Sequence, residues 1–128
     1  MASETYIMGK IREVADGLPH VSLFRNNTGS FVLRGGRFFR AGLCKGSADL
    51  IGWITVDDRA IFLSVEVKKP GGRVDSKQEE WRNQVTSAGG LAMIVASVAE
   101  FKQAIQEYSP CPTLPSKNEK KPLSSLAE

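Results

Sequence analysis

Glu66 and Lys68 stand two residues apart in the run Val65-Glu66-Val67-Lys68-Lys69. Side chains two apart on an extended strand leave the same face. This carboxylate and this ammonium therefore share a face with Phe62 and Ser64, while Ile61, Leu63, Val65 and Val67 point the other way. Holding an unpaired carboxylate on a covered face costs on the order of several kcal/mol. Either the lysine or a divalent cation must offset that cost. A third group, Asp49, lies in the earlier string Gly-Ser-Ala-Asp-Leu-Ile-Gly, residues 46–52. Two carboxylates and an ammonium at one point suit phosphodiester hydrolysis. Carboxylate oxygens are hard ligands for Mg²⁺, and such a metal acidifies a bound water and neutralises phosphate charge. The lysine is suited to hold the water and to stabilise the pentacovalent transition state.

Convergence of these groups depends on the hairpin that joins them. Antiparallel partners keep a constant index sum. A two-residue turn at Asp57-Asp58 sets Asp49 opposite Glu66, and one at Asp58-Arg59 sets it opposite Lys68. A three-residue loop sends Asp49 to the wrong face unless a bulge intervenes. An even loop or a bulge is therefore expected.

The surrounding elements follow from periodicity. Residues 4–16 read as a helix with the stripe Ile7, Ile11, Val14 and Leu18, an N-cap at Ser3 and a stop at Gly17 and Pro19. A short strand, 21–25, leads to a hairpin in which Phe31, Val32, Leu33, Phe38 and Phe39 surround Gly35-Gly36. Strands are expected over 49–56 and 60–68. A helix opens at Ser76, with Ser76 and Glu79 as a capping box and Trp81, Val85 and Ala88 as its buried stripe. The apolar run 91–97 suits a strand covered on both faces. Ser97 and Glu100 form a second capping box that opens a last helix carrying Val98, Phe101, Ile105 and Tyr108. The order predicts an α/β layer with a mixed sheet, a single domain over 1–108 and a Pro/Lys-rich flexible tail over 109–128.

Composition narrows the class. The chain has 128 residues, 41% apolar and 24% charged, as expected of a soluble domain with one core. No apolar run approaches the ~20 residues of a membrane span, and the first residues lack a secretory pattern. One histidine, His20, and two cysteines, Cys44 and Cys111, argue against a zinc site and fit free thiols in a cytoplasmic setting. The formal charge of +3 permits a polyanionic partner without demanding one.

A longer string joins these pieces: Glu4, Arg25-Asn26-Asn27-Thr28-Gly29, residues 42–52 (GLCKGSADLIG), residues 65–69 (VEVKK), the glutamine of the next helix and residues 88–97 (AGGLAMIVAS). Over about residues 3–105 the chain resembles the VRR-NUC family of the PD-(D/E)XK nuclease superfamily, in its small stand-alone phage and bacterial form. The resemblance implies a restriction-endonuclease-like fold, a mixed central β-sheet flanked by helices. It also implies Asp49 and Glu66 as metal ligands, completed by Glu4 and the backbone carbonyl of Val67. Lys68 is the implied catalytic lysine, with Gln78 orienting an active-site group. The proline of the superfamily name is absent, and Ser47-Ala48 precede the aspartate.

What the resemblance implies in function is a Mg²⁺-dependent DNA endonuclease, with Mn²⁺ as substitute, acting as a homodimer, with branched or Holliday-junction-like DNA as a candidate substrate. The alternatives are a non-catalytic DNA-binding module on the same scaffold and a non-specific or restriction-type duplex nuclease. Arg25, Asn27, Arg34, Arg37, Arg40, Lys45 and Lys69 are the residues expected to contact DNA. A charge-protected edge strand competes for the hairpin arginines, and core packing competes for Trp81. Trp53 suits either core or a dimer interface.

Overall fold

The computed structural model describes residues 2–108. The tail expected at 109–128, with Cys111, lies outside the described residues.

Helix α1 (Glu4–Asp16) begins where expected, with the Ser3 hydroxyl accepting from the N–H of Tyr6. It buries Ile7, Met8, Ile11 and Ala15. Strand β1 (Val21–Arg25) follows. Strands β2 (Gly29–Val32) and β3 (Phe38–Ala41) then form a separate two-stranded sheet. Gly35 and Gly36 both have positive φ (94° and 84°) and make its tip, closed by the Leu33 N–H on the Arg37 carbonyl. L-residues rarely adopt that region. The hairpin packs chiefly on itself, and Phe31, Val32, Leu33, Phe38 and Phe39 are all exposed.

Strands β4 (Leu50–Val56) and β5 (Arg59–Val67) are joined by the two-residue turn Asp57-Asp58, both in the left-handed region with φ of 51° and 63°. Two such residues give the turn whose twist matches that of paired strands. Its register pairs Leu50 with Val65 and Val56 with Arg59, so Asp49 falls opposite Glu66. Helix α2 (Ser76–Ser87), strand β6 (Leu91–Val95) and helix α3 (Val98–Glu107) complete the chain.

The main sheet has the order β1-β4-β5-β6. The first three strands are antiparallel neighbours, and β6 runs parallel to β5. On one face Val21, Leu23, Leu50, Ile54, Leu63, Val65, Val67, Met93 and Val95 meet α1 and α3, where Phe101 and Ile11 are fully enclosed. Burial of this apolar surface is the main stabilising contribution. Helix α2 lies on the opposite face over β5 and β6. A mixed sheet with helices on both faces is the restriction-endonuclease-like architecture.

Three local expectations need correction. The N-cap of α2 is Asp75, not Ser76, and its capping box pairs Asp75 with Gln78 rather than Ser76 with Glu79. Asp75 competes successfully because its carboxylate accepts from the N–H of Gln78 while Gln78 reaches back to the N–H of Asp75. Ala88 is exposed at the end of α2 and takes no part in a buried stripe. At α3, Ser97 accepts from the N–H of Glu100, but the Glu100 carboxylate reaches the N–H of Ala96, one residue before the cap.

Candidate active site

The β-ladders place one row of residues across the main sheet. Extending the register of β1 and β4 by one residue sets Asn26 beside Asp49, confirmed by the Asn26 N–H donating to the Asp49 carbonyl (2.8 Å). Asp49 faces Glu66 across β4 and β5, and Glu66 pairs with Ile94 of β6. This row lies on the face that carries α2.

Asp49 and Glu66 are bound to each other's backbone. The Val67 N–H donates to Asp49 Oδ2 (2.9 Å), and the Asp49 N–H donates to Glu66 Oε1 (3.2 Å). Val67 thus meets Asp49 through its N–H. Glu66 is 7% exposed. Burial, followed by the neighbouring Asp49 charge and a hydrogen bond between the two carboxyls, pushes its pKa up to about 8. Lys68 and the Asp49 N–H pull the other way. Lys68 Nζ lies 3.8 Å from Glu66 Oε2.

Gln78 joins the helix to this row. Its Oε1 accepts from the N–H of Asp75 (3.1 Å), and its Nε2 donates to Glu66 Oε2. One side chain therefore caps α2 and holds the second oxygen of the buried carboxylate. Trp81, one turn further on and half-buried, donates from Nε1 to the Ser64 hydroxyl (2.9 Å) and packs edge-on to Phe62. Both bonds seat α2 over the Ser64 and Glu66 face.

The loop before Asp49 is fixed by a residue that the sequence reading passed over. Asn26 is buried. Its Nδ2 donates to the Ser47 hydroxyl and to the Ala48 carbonyl, both at 2.8 Å, and its Oδ1 accepts from the N–H of Leu43 (3.2 Å). The available signal was parity: Ser22 and Phe24 face the site side, so the next residue of that set is Asn26. Gly46 completes the fit. With φ of +92°, a Cβ there would lie 2.7 Å from the Lys77 carbonyl, so the loop touches the first turn of α2 only because this residue is glycine.

The structure thus gathers Asp49, Glu66, Lys68 and Gln78. Glu4 stands at the margin, where its Oε2 accepts from the N–H of Lys69 (3.0 Å) and ties α1 to the end of β5. Among the described residues, no three His, Cys, Asp or Glu side chains come together closely enough to form a metal cluster. The donor chemistry of the Asp49 and Glu66 pair nevertheless suits a hard divalent cation, since a positive charge there offsets both the desolvation and the mutual repulsion. Arg25, Asn27, Arg34, Arg37, Arg40, Lys45 and Lys69 are all exposed. Trp53 is also exposed, paired with Phe24 at 5.7 Å between ring centroids, and so is not a core residue.

The model of the VRR-NUC domain matches residues 32–100. That span includes Asp49, Glu66, Lys68 and Gln78. No curated protein was found to match the chain, and no solved structure was found to match it. Among the described residues, no helix is long and apolar enough to cross a membrane.

Proposed function

The chain belongs to the VRR-NUC domain family, a nuclease-type domain that processes DNA, and from that premise we propose that it is a Mg²⁺-dependent DNA endonuclease. The observation that carries the reading is the Asp49 and Glu66 rung, with Lys68 Nζ 3.8 Å from Glu66 on the same face. Asp49, Glu66 and the backbone carbonyl of Val67 would hold the cation, with Glu4 as a further candidate and Mn²⁺ as a substitute. When bound, the metal supplies charge neutralisation at the scissile phosphate and acidifies a water.

The chain's own groups do the rest. Glu66 would hold the cation as its carboxylate, and Gln78 holds the orientation of that group. Lys68, on the same face as Glu66, would hold the attacking water or a phosphate oxygen and place positive charge where negative charge develops. Arg25, Asn27, Lys45 and Lys69 provide sequence-independent phosphate contacts around the site.

We further propose a homodimer in which two sites act on two strands, as a symmetric junction substrate requires. Phe24, Trp53 and Phe62 support this. They leave the face of β1 and β4 apolar and exposed beside α2, in the manner of an interaction surface.

The test is cleavage of labelled single strand, duplex, flap and four-way junction in Mg²⁺, Mn²⁺ and EDTA, comparing wild type with Glu66→Ala and Lys68→Ala. Metal-dependent cutting lost in both variants supports the reading. No cutting of any substrate overturns it in favour of a binding module.

A further inference from the structure

The hairpin of β2 and β3 carries five large apolar side chains that are all exposed, and the two strands pack chiefly on each other. Phe38 is the extreme, at 73% exposed. Cross-strand pairing sets Phe31 beside Phe39 on one face, with ring centroids 6.3 Å apart, and Val32 beside Phe38 on the other. A projecting ribbon with aromatic rings on both faces is stable in water only at a cost, and such surfaces mark interaction sites.

Charge identifies the occupant. From residue 17 to residue 48 the chain contains no aspartate or glutamate, while it contains Arg25, Arg34, Arg37, Arg40 and Lys45. Three of those arginines are interleaved with the rings on the hairpin itself. A second copy docking hairpin to hairpin about a two-fold axis would set these like charges against each other. DNA brings the opposite charge together with flat rings. At the base of the hairpin a cavity of about 240 Å³ is lined by Ser30, Arg40 and Lys45 and reaches Gly46, three residues before Asp49. Phosphate contacts there would connect the ribbon to the candidate active site.

We propose that the hairpin is a base-stacking element: Phe31, Phe38 and Phe39 take up unpaired or unstacked bases while Arg34, Arg37 and Arg40 hold the flanking phosphates. In a fully paired duplex the bases already stack on one another and present only their edges. The rings therefore favour DNA that is splayed at a branch, a fork or a single-stranded end. This gives the hairpin the recognition of opened DNA and rests on the proposed function for the chemistry at Asp49 and Glu66.

The test measures binding of the full chain, in EDTA so that nothing is cut, to a four-way junction, a splayed fork and a duplex of the same sequence. Fluorescence anisotropy is read over a range of salt. Wild type should bind the junction and fork roughly tenfold or more tightly than the duplex, the order of one base stacked on an aromatic side chain. Phe38→Ala and Phe31→Ala should bring that preference toward one with duplex affinity little changed, and Phe38→Trp should retain it. Arg37→Glu should weaken binding to all three and reduce the dependence on salt. An unchanged preference in both alanine variants overturns the proposal. A dimer that becomes monomeric in those variants, seen by sedimentation, also overturns it and assigns the rings to a second copy. Because binding is read without metal, a ring-dependent preference in a protein that cuts nothing would sink the catalytic reading and leave this one standing.

Discussion

Asp49 and Glu66 hold each other in place through the main chain: the Asp49 carboxylate accepts the N–H of Val67, and the Glu66 carboxylate accepts the N–H of Asp49. Neither acid can turn away without freeing a backbone N–H of the opposite strand. The two carboxyls are thus positioned by sheet register, and the electrostatic cost of that positioning falls on Glu66.

That cost makes stability depend on pH. Between the usual carboxylate value of 4.5 and about 8, the folded protein keeps a proton on Glu66 that the unfolded chain has lost. The folded state therefore binds more protons, and stability falls as pH rises through this window and levels off above it. Urea unfolding in EDTA at several pH values should show a decline of about 2–4 kcal/mol attributable to this group. Glu66→Gln, which mimics the protonated form, should abolish most of that slope and be the more stable protein at pH 8. A slope identical in the variant would remove the assignment.

Divalent cations should act in the opposite sense. If the deprotonated pair holds a cation as proposed, Mg²⁺ or Ca²⁺ should raise the melting temperature more at pH 8 than at pH 6, by an amount that grows with the logarithm of its concentration. Asp49→Asn and Glu66→Gln should each lose the shift. Glu4→Gln should lose part of it only if Glu4 exchanges its bond to the Lys69 N–H for a place on the metal.

Gln78 serves two masters, and two variants separate them. Gln78→Ala removes the reciprocal half of the capping box and the bond to Glu66, with an expected loss of about 1 kcal/mol of stability and of roughly 10–100-fold in cleavage rate. Gln78→Glu preserves an acceptor for the Asp75 N–H, so α2 should remain capped. It faces Glu66 with another carboxylate, however, and cleavage should fall while the unfolding midpoint at low pH stays near that of wild type.

Asn26→Ala should be the most destabilising of these changes, by about 2–4 kcal/mol, because it removes the buried donor to the Ala48 carbonyl and the acceptor for the Leu43 N–H, and leaves the Ser47 hydroxyl only its bond to the Cys44 carbonyl. Its catalytic effect is a displaced Asp49 rather than a lost ligand. Thermal unfolding and cleavage at saturating Mg²⁺ would show both losses, and raising the metal concentration should not restore the rate.

Much of this was legible in the residues. The alternation along 60–68 put Glu66 and Lys68 on one face, and counting across the hairpin reduced the position of Asp49 to a choice between turns. The choice itself, Asp57-Asp58 over Asp58-Arg59, depended on which pair could take left-handed backbone angles. Aspartate tolerates that region better than arginine does. The cap of α2 was misplaced because Asp75 and Ser76 are both competent caps, and the pull of Gln78 toward Glu66 is a tertiary fact. Asn26 was passed over because an asparagine pair after a strand reads as a turn, whereas here one of the two is buried and bonded to residues 43, 47 and 48. Hydrophobicity alone placed Trp53 no better than between core and interface, since the open face of β1 and β4 appears only when the reach of α2 is known.

The pairing of Asn26 with Asp49 closes a loop in the chain. Everything between them, hairpin included, leaves the sheet at one rung and returns to it at the same rung, clamped by the hydrogen bonds of one buried side chain. Such an excursion behaves as a detachable cassette. The part open to exchange is the β2 and β3 ribbon, whose length, rings and charges lie outside the bonds that hold Asp49, whereas Gly46, Ser47 and Ala48 must stay; the ribbon can therefore vary separately from the carboxylates it leads to.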